Sequence, residues 1–253
     1  MIIDAPKPTH LSARRALWRE AFGDTEEFLD AFEKTAFSPD RCLCISEGDE
    51  VLAALYWFDV TLEGQRLAYL YAIATAKAHR GKGLCHRLMT HAHAHLGALG
   101  YAGTLLVPSK PSLFALYEGL GYRTCSHIGE LSCEASKATA TLRVLSAKEY
   151  EAYRRTLLPT NGVLQENESI AFLETMASFY AGDGFLLAAR REDGVLHGIE
   201  LLGDVQNAPA VLAALGCTKG IFRIPVGNKP FAMYRPLSDT ALPSPIYFGL
   251  ALD

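Results

Sequence analysis

Long hydrophobic runs are missing from this chain of 253 residues. Its most extended apolar stretches, such as Val51 to Phe58, fall far short of the roughly 20 residues a membrane-spanning helix needs, so no membrane partner is expected. No run of lysine or arginine occurs either. With a formal charge of −4 and a pI near 6.1, a nucleic-acid partner is not expected. Disulfide signals are absent too: Cys42, Cys44, Cys85, Cys125, Cys133 and Cys217 form no CxxC pair, and a chain of this size needs no staples. The opening MIIDAPKPTH has neither the basic start nor the apolar stretch of a secretory leader. Together these absences predict a cytoplasmic protein with reduced thiols. Cys42 and Cys44 alternate along one strand and read as small buried residues.

A metal signature is also wanting. HRLMTHAHAHLG carries His86, His91, His93 and His95, and His91 with His95 share a helix face as zinc ligands can. No HExxH glutamate or ligand-spaced cysteine accompanies them, so they read as alanine-interleaved histidines on a solvated face, with no metal.

What the chain does have is apolar mass, 49% by composition, enough for one large or two ordinary domains. LSARRALWREAF reads as a helix, and GDTEEFLDAFEKTAF as a second one with Asp24 as N-cap and Glu27 completing a capping box. RCLCISEGDEVLAALYWFDV reads as a hairpin around Gly48-Asp49, followed by the TLEGQR turn and the strand LAYLYAIAT. A helix is predicted from about Leu84 to Leu99, then a strand in GTLLVP and a helix from Pro111 to Gly121. YRTCSHIGELSC supplies one or two closing strands. Around EASKATA the composition turns small and polar, which places a domain boundary there, giving domains 1–138 and 139–253.

The remainder starts over. TLRVLSAKEYEAYRRTL reads as strand then helix, SIAFLETMASFYAG as a helix, and FLLAARREDGVLHGIELLG as a hairpin around Asp193-Gly194. APAVLAALG reads as a short helix, with GIFRIPVG and PIYFGLALD as later strands. The element order parallels the first half, which suggests a diverged duplication.

The fragment HRGKGLCHRLM, His79 to Met89, carries the chemistry. A glycine-rich turn entering a helix exposes backbone N–H groups without intrahelical partners, where the helix dipole adds partial positive charge. Phosphate oxygens satisfy both. Gly81 and Gly83 permit unusual dihedrals and close approach, while Arg80, Lys82 and Arg87 add charge. A solvated loop that merely caps a helix is the plainer reading of the turn alone. The neighbouring residues favour a ligand: strand, turn, helix, strand, then Leu116-Tyr117-Glu118-Gly119-Leu120-Gly121-Tyr122.

That arrangement over about residues 1–135 resembles the GNAT superfamily of acyl-CoA N-acyltransferases, whose turn reads Arg/Gln-x-x-Gly-x-Gly/Ala and whose later helix ends Leu-Tyr-x-x-Leu-Gly-aromatic. Arg80 and Gly83 match, the last turn position is Cys85, and the position where the family often carries Asn is Lys110. The resemblance implies an α/β fold: a GNAT-like N-terminal domain with a mixed sheet, followed by a degenerate GNAT-like domain. It implies an acetyl-CoA cosubstrate whose diphosphate sits on Arg80, Gly81, Lys82, Gly83, Leu84 and Cys85. The pantetheine arm would run beside Ile73, Ala74 and Thr75 like an added strand, where a backbone N–H would hold the developing oxyanion. Lys110 stands at a further cofactor contact. Tyr117 resembles the family's tyrosine that faces the cofactor sulfur. A tyrosine near pKa 10 is a weaker acid than a thiol near 8.5, so hydrogen bonding to the thiolate is as good a role as full proton transfer. Packing of Tyr117 on the helix face with Leu113 and Leu120 is its purely structural alternative.

The expected activity is N-acetyl transfer to a primary amine of a small molecule or peptide. The base that frees the amine is not legible: Asp24, Glu26, Asp59, Tyr69, Tyr71 and the terminal Asp253 are all candidates. The second half has no Arg-x-x-Gly-x-Gly turn before its short helix, so one cofactor site per chain is expected. Two competing readings stay open. One is a non-catalytic coenzyme A-binding sensor or scaffold. The other is an interaction module in which paired domains build a homo-oligomer.

Overall fold

The computed structural model describes residues 1–239 and 242–252, and the chain divides into two units. The first holds Met1–Leu106, Lys110–Arg123 and a return segment that begins at Tyr234. The second holds Val107–Ser109, Thr124–Met233 and a closing segment from Leu242. No helix among the described residues is long and apolar enough to cross a membrane.

In the first unit the order is β1 (Ile2–Asp4), α1 (Leu11–Phe22), α2 (Glu26–Thr35), β2 (Cys42–Glu47), β3 (Glu50–Leu62) and β4 (Gln65–Thr75). Then come α3 (Leu84–Ala98), β5 (Gly103–Leu106) and α4 (Ser112–Glu118). Strands β1 to β4 pair antiparallel in sequence order, and β5 joins β4 in parallel. The β3–β4 turn has Glu63 and Gly64 both at positive φ, 49° and 78°, the primed geometry that matches strand twist. Helix α1 buries Leu17 and Trp18, and α2 buries Leu29 and Phe32. These meet the sheet through Tyr56, whose ring centroid lies 5.1 Å from that of Trp18. Asp24 is not the cap of α2. Thr25 is, its Oγ1 accepting from the Phe28 N–H at 3.3 Å, because the Asp24 carboxylate accepts from the Trp18 indole at 2.7 Å.

After β6 (Arg123–Thr124) comes β7 (His127–Glu134), and the second unit runs β8 (Arg143–Leu145), α5 (Ala147–Leu157), β9 (Leu164–Gln165) and α6 (Glu168–Glu174). It continues with β10 (Ser178–Gly182), β11 (Phe185–Glu192), β12 (Val195–Gly203), α7 (Ala208–Ala214) and β13 (Lys219–Pro230), before β14 (Met233–Pro236). Its sheet has the order β7-β13-β12-β11-β10-β8. From β8 to β12 neighbours are antiparallel, and β12 pairs with β13 in parallel. Strand order and direction from β8 to β13 thus repeat those from β1 to β5, and the two helices before each hairpin series repeat as well. Its interior holds Arg154 and Glu200, 1% and 0% exposed, paired at 2.7 Å. Tyr150 and Tyr247 donate to the same carboxylate, and Arg154 donates to the Val163 carbonyl, so this buried pair is fully satisfied.

Three expectations need correction. The stretch read as one helix from Ser169 to Gly182 is α6 followed by strand β10, since the alternating Phe179 and Ala181 are buried in sheet register. Among the described residues the last segment forms no strand; its one sheet-like pairing is an isolated bridge of Tyr247 with Gly162. The division falls at Arg123/Thr124 rather than after 138. Strand β7 belongs to the second unit's sheet, beside β13, while β14, which composition did not reveal, returns to the first unit's sheet beside β5. Gly103 on β5 accommodates that return: a Cβ there would stand 2.3 Å from the Tyr234 ring.

Candidate active site

Strand β4 is where the first sheet opens. Tyr56 pairs with Tyr71 and Ala54 with Ala74, so Ala72 and Ile73 together face Leu55 as a bulge. Ala72 sits at φ 47°, an uncommon conformation for a residue with a side chain. Bulges bend and twist a strand. Pairing with β5 covers only Leu67–Tyr69 against Gly103–Leu105, whereas β4 continues to Thr75 on the β3 side. Beyond Leu70, β4 therefore has no strand on its β5 side among the described residues. Ile73 and Thr75 are half-buried there, and Ala74 is buried.

The turn follows at once. Ala76 N–H donates to the Leu52 carbonyl at 2.9 Å, and Lys77 N–H to Glu20 Oε2 at 2.8 Å. Arg80 Nε donates to the Thr75 carbonyl at 3.0 Å, which ties the turn to the end of β4. Gly81 and Gly83 have φ of 74° and 75°, the left-handed region, and a Cβ on either would meet nothing within 4 Å. Glycine is required here by the dihedral angle, and open space lies over the turn. Helix α3 begins at Leu84 with Gly83 as N-cap and no side chain capping it. Its first hydrogen bond runs from Arg87 N–H to Gly83 O at 3.0 Å, so the N–H groups of Leu84, Cys85 and His86 precede the intrahelical ladder. Arg80, Lys82 and Arg87 are exposed around them. This is an uncapped helix start with three cations, built to accept an anion.

Tyr117 lies in α4 and is 7% exposed. Among the described residues none hydrogen-bonds its hydroxyl. Burial, with the nearby Cys85 thiol adding to it, raises the phenol well above its ordinary pKa. Cys85 is itself raised by burial and so remains a thiol at neutral pH. Tyr117 is thus close enough to Cys85, in the first turn of α3, for the two groups to influence each other. The Tyr117 ring packs edge-on to Tyr122 at 5.9 Å. Lys110 is exposed ahead of α4, its carbonyl accepting from Leu113 N–H, and no side-chain bond links it to the turn among the described residues.

The base candidates are mostly engaged. Asp24 holds the Trp18 indole, and Glu26 pairs with Arg15 and with Arg19. Asp59 takes Arg66 at 3.0 Å and the Tyr101 hydroxyl, while Tyr69 and Tyr71 join the ring cluster of Phe58, Tyr56 and Trp18. Asp253 lies outside the described residues. The histidine reading also changes. His86 and His91 are exposed and His95 half-buried, but His93 is only 4% exposed. It sits in the buried stripe of α3 with Met89, Ala92 and Leu96. The apolar period of that helix carried this signal, and the alternation with alanine hid it.

Residues 3–125 match the profile of the family described as Acetyltransferase (GNAT) domain. They form a GNAT domain. The whole chain is similar in fold to a GCN5-related N-acetyltransferase from Kribbella flavida, with 19% identity, TM-score 0.72, and coverage of 93% of this chain and 70% of that one. A putative acetyltransferase from Pyrococcus horikoshii matches with 16% identity, TM-score 0.66, and coverage of 98% and 93%. Eis1 from Mycobacterium abscessus matches with 13% identity, TM-score 0.67, and coverage of 94% and 74%. No curated protein matches. At these identities the likeness is one of fold, and it extends past the GNAT domain into the second unit.

Proposed function

We propose that the chain is an acetyl-CoA-dependent N-acetyltransferase acting on a primary amine of a small molecule or peptide. The observation that carries this reading is the uncapped start of α3 behind Gly81 and Gly83, following the end of β4 that pairs with β3 but, among the described residues, not with β5, in a GNAT domain. The residues present fit coenzyme A: open space over the two glycines, free N–H groups at Leu84 and Cys85, and flanking Arg80 and Lys82 suit a diphosphate. Bound acetyl-CoA supplies an activated thioester, and transfer to the amine nitrogen breaks the C–S bond and releases a free thiol.

Each residue then has a physical task. The turn holds the diphosphate, and Arg80 keeps the turn seated on Thr75. The β5-side edge at Ile73 to Thr75 offers backbone groups for strand-like pairing and a donor for charge developing on the carbonyl oxygen. Tyr117 keeps its proton, because burial disfavours its anion. Full transfer to a thiolate is then more uphill than for a free tyrosine, so its task is to donate a hydrogen bond where sulfur charge develops. Asp24, Glu26 and Asp59 each already hold a partner, so an amine that enters from the small neutral fraction in water needs none of them as base.

The test is free-thiol release from acetyl-CoA across a panel of amines. Thiol release that requires an amine, with an acetylated amine as product, is the expected result. Coenzyme A binding without turnover of any amine would replace this reading with that of a sensor or scaffold.

A further inference from the structure

Arg235 reaches the first unit on the return strand β14 and makes two bonds there. Its Nη1 donates to the Leu120 carbonyl at 2.6 Å, just past the end of α4, and lies 2.7 Å from His93 Nδ1. A guanidinium only donates, so Nδ1 is the acceptor and the proton of the neutral imidazole resides on Nε2. His93 Nε2 then donates to the Tyr122 hydroxyl at 2.9 Å, which leaves that hydroxyl to donate to Thr104 Oγ1 at 2.8 Å. His93, Thr104 and Tyr122 are 4%, 0% and 1% exposed, and every bond in the chain has a defined direction. Tyr122 is the ring on which Tyr117 packs edge-on. The guanidinium also packs against Gly121, 3.7 Å from where a Cβ would stand. One arginine therefore fixes both ends of the Leu120–Tyr122 corner, and that corner closes the helix that carries Tyr117.

We propose that Arg235 is a positioning residue for acyl transfer: through the Leu120 carbonyl and the His93–Tyr122 pair it holds the Tyr117 hydroxyl at the cofactor sulfur. The proposal rests on the role given to Tyr117 above. It adds that a residue more than a hundred positions downstream, outside the segment matching the family, sets the geometry of the catalytic helix. The groups facing His93 are Arg235 from β14 and Tyr122 beside it, with Tyr117 and the Cys85 thiol near Tyr122 in turn.

The experiment compares Arg235→Met, Arg235→Lys and His93→Gln in the full chain. For R235M, coenzyme A affinity by calorimetry is expected to stay within about twofold of the parent, while kcat falls at least tenfold and KM for acetyl-CoA hardly moves. R235K is expected to restore part of kcat. Burial is the larger of the two influences that keep His93 neutral and Arg235 the smaller, so in R235M the acid limb of the kcat profile is expected to move to higher pH, and to be absent from the double variant with His93→Gln. Loss of coenzyme A affinity in step with kcat, or unchanged kcat, overturns the proposal. A readout without turnover separates its failure from failure of the acetyltransfer reading: with 13C-labelled tyrosine rings, the Tyr117 and Tyr122 signals shift in R235M and hold in R235K. Signals that stay in place in R235M overturn the positioning role whether or not any amine is acetylated.

Discussion

At the scale of single residues, three positions carry separable consequences. Tyr117 has a buried ring and a hydroxyl without a protein partner among the described residues, so Tyr117→Phe keeps the packing on Tyr122 and removes only the donor. Unfolding stability is expected to stay within about 0.5 kcal/mol, while turnover falls about a hundredfold, the usual cost of one donor aimed at developing charge. Denaturant titration alongside thiol release checks both. Gly83 is held at φ 75°, so Gly83→Ala is expected to cost about 1–2 kcal/mol of stability from left-handed strain. It should weaken coenzyme A binding at least tenfold by reshaping the turn, as read by calorimetry. His93 is pushed down to about 4 by burial and then by Arg235, so the folded protein binds fewer protons than the unfolded chain between that value and about 6.5. Its neutral, hydrogen-bonded state therefore stabilises the fold fully above pH 6.5, and about 3 kcal/mol is lost as pH falls through that window. His93→Gln, which cannot titrate, is expected to flatten that part of the stability curve relative to the parent. Parallel curves for the two proteins would remove His93 as the cause.

At the scale of elements, the turn and its helix were legible because their signal is local. Two glycines, flanking cations and an apolar period beginning at Leu84 state the geometry without reference to anything distant. The β3–β4 hairpin was legible for the same reason, with Glu63-Gly64 between two apolar strands. What stayed hidden depends on distant partners. The cap of α2 moved from Asp24 to Thr25 because an indole claimed the carboxylate. Strand β14 is four residues ending in a proline, and nothing in Met233–Pro236 itself says that it lies beside β5. Its place is fixed by Tyr234 over Gly103, by Leu237 N–H on the Ala102 carbonyl at 2.9 Å and by Arg235 on Leu120. A chain ending at 138 would lack all three contacts. Such a chain is expected to lose cooperative unfolding, measured by circular dichroism, and to bind no coenzyme A. A cooperatively folded, binding-competent chain of that length would show that β14 is dispensable.

At the scale of the whole molecule, the second unit repeats the strand plan of the first but not its glycine-rich turn with flanking cations. After β12 the chain passes through Asp204, whose Oδ1 already accepts from Gln206 N–H at 3.0 Å, into a helix of only seven residues. A carboxylate occupies the place where the first unit leaves open N–H groups and cations, and phosphate would meet negative charge there. One coenzyme A per chain is therefore expected. At about a hundred times the dissociation constant that ligand should stabilise the fold by about 2.7 kcal/mol, a shift of several degrees in Tm. The most direct test of the central claim is calorimetric titration of acetyl-CoA into the full chain and into Gly83→Ala. The expected result is saturable heat with one site per chain, weakened at least tenfold in the variant. No heat, two sites per chain, or equal affinity in both proteins would contradict it.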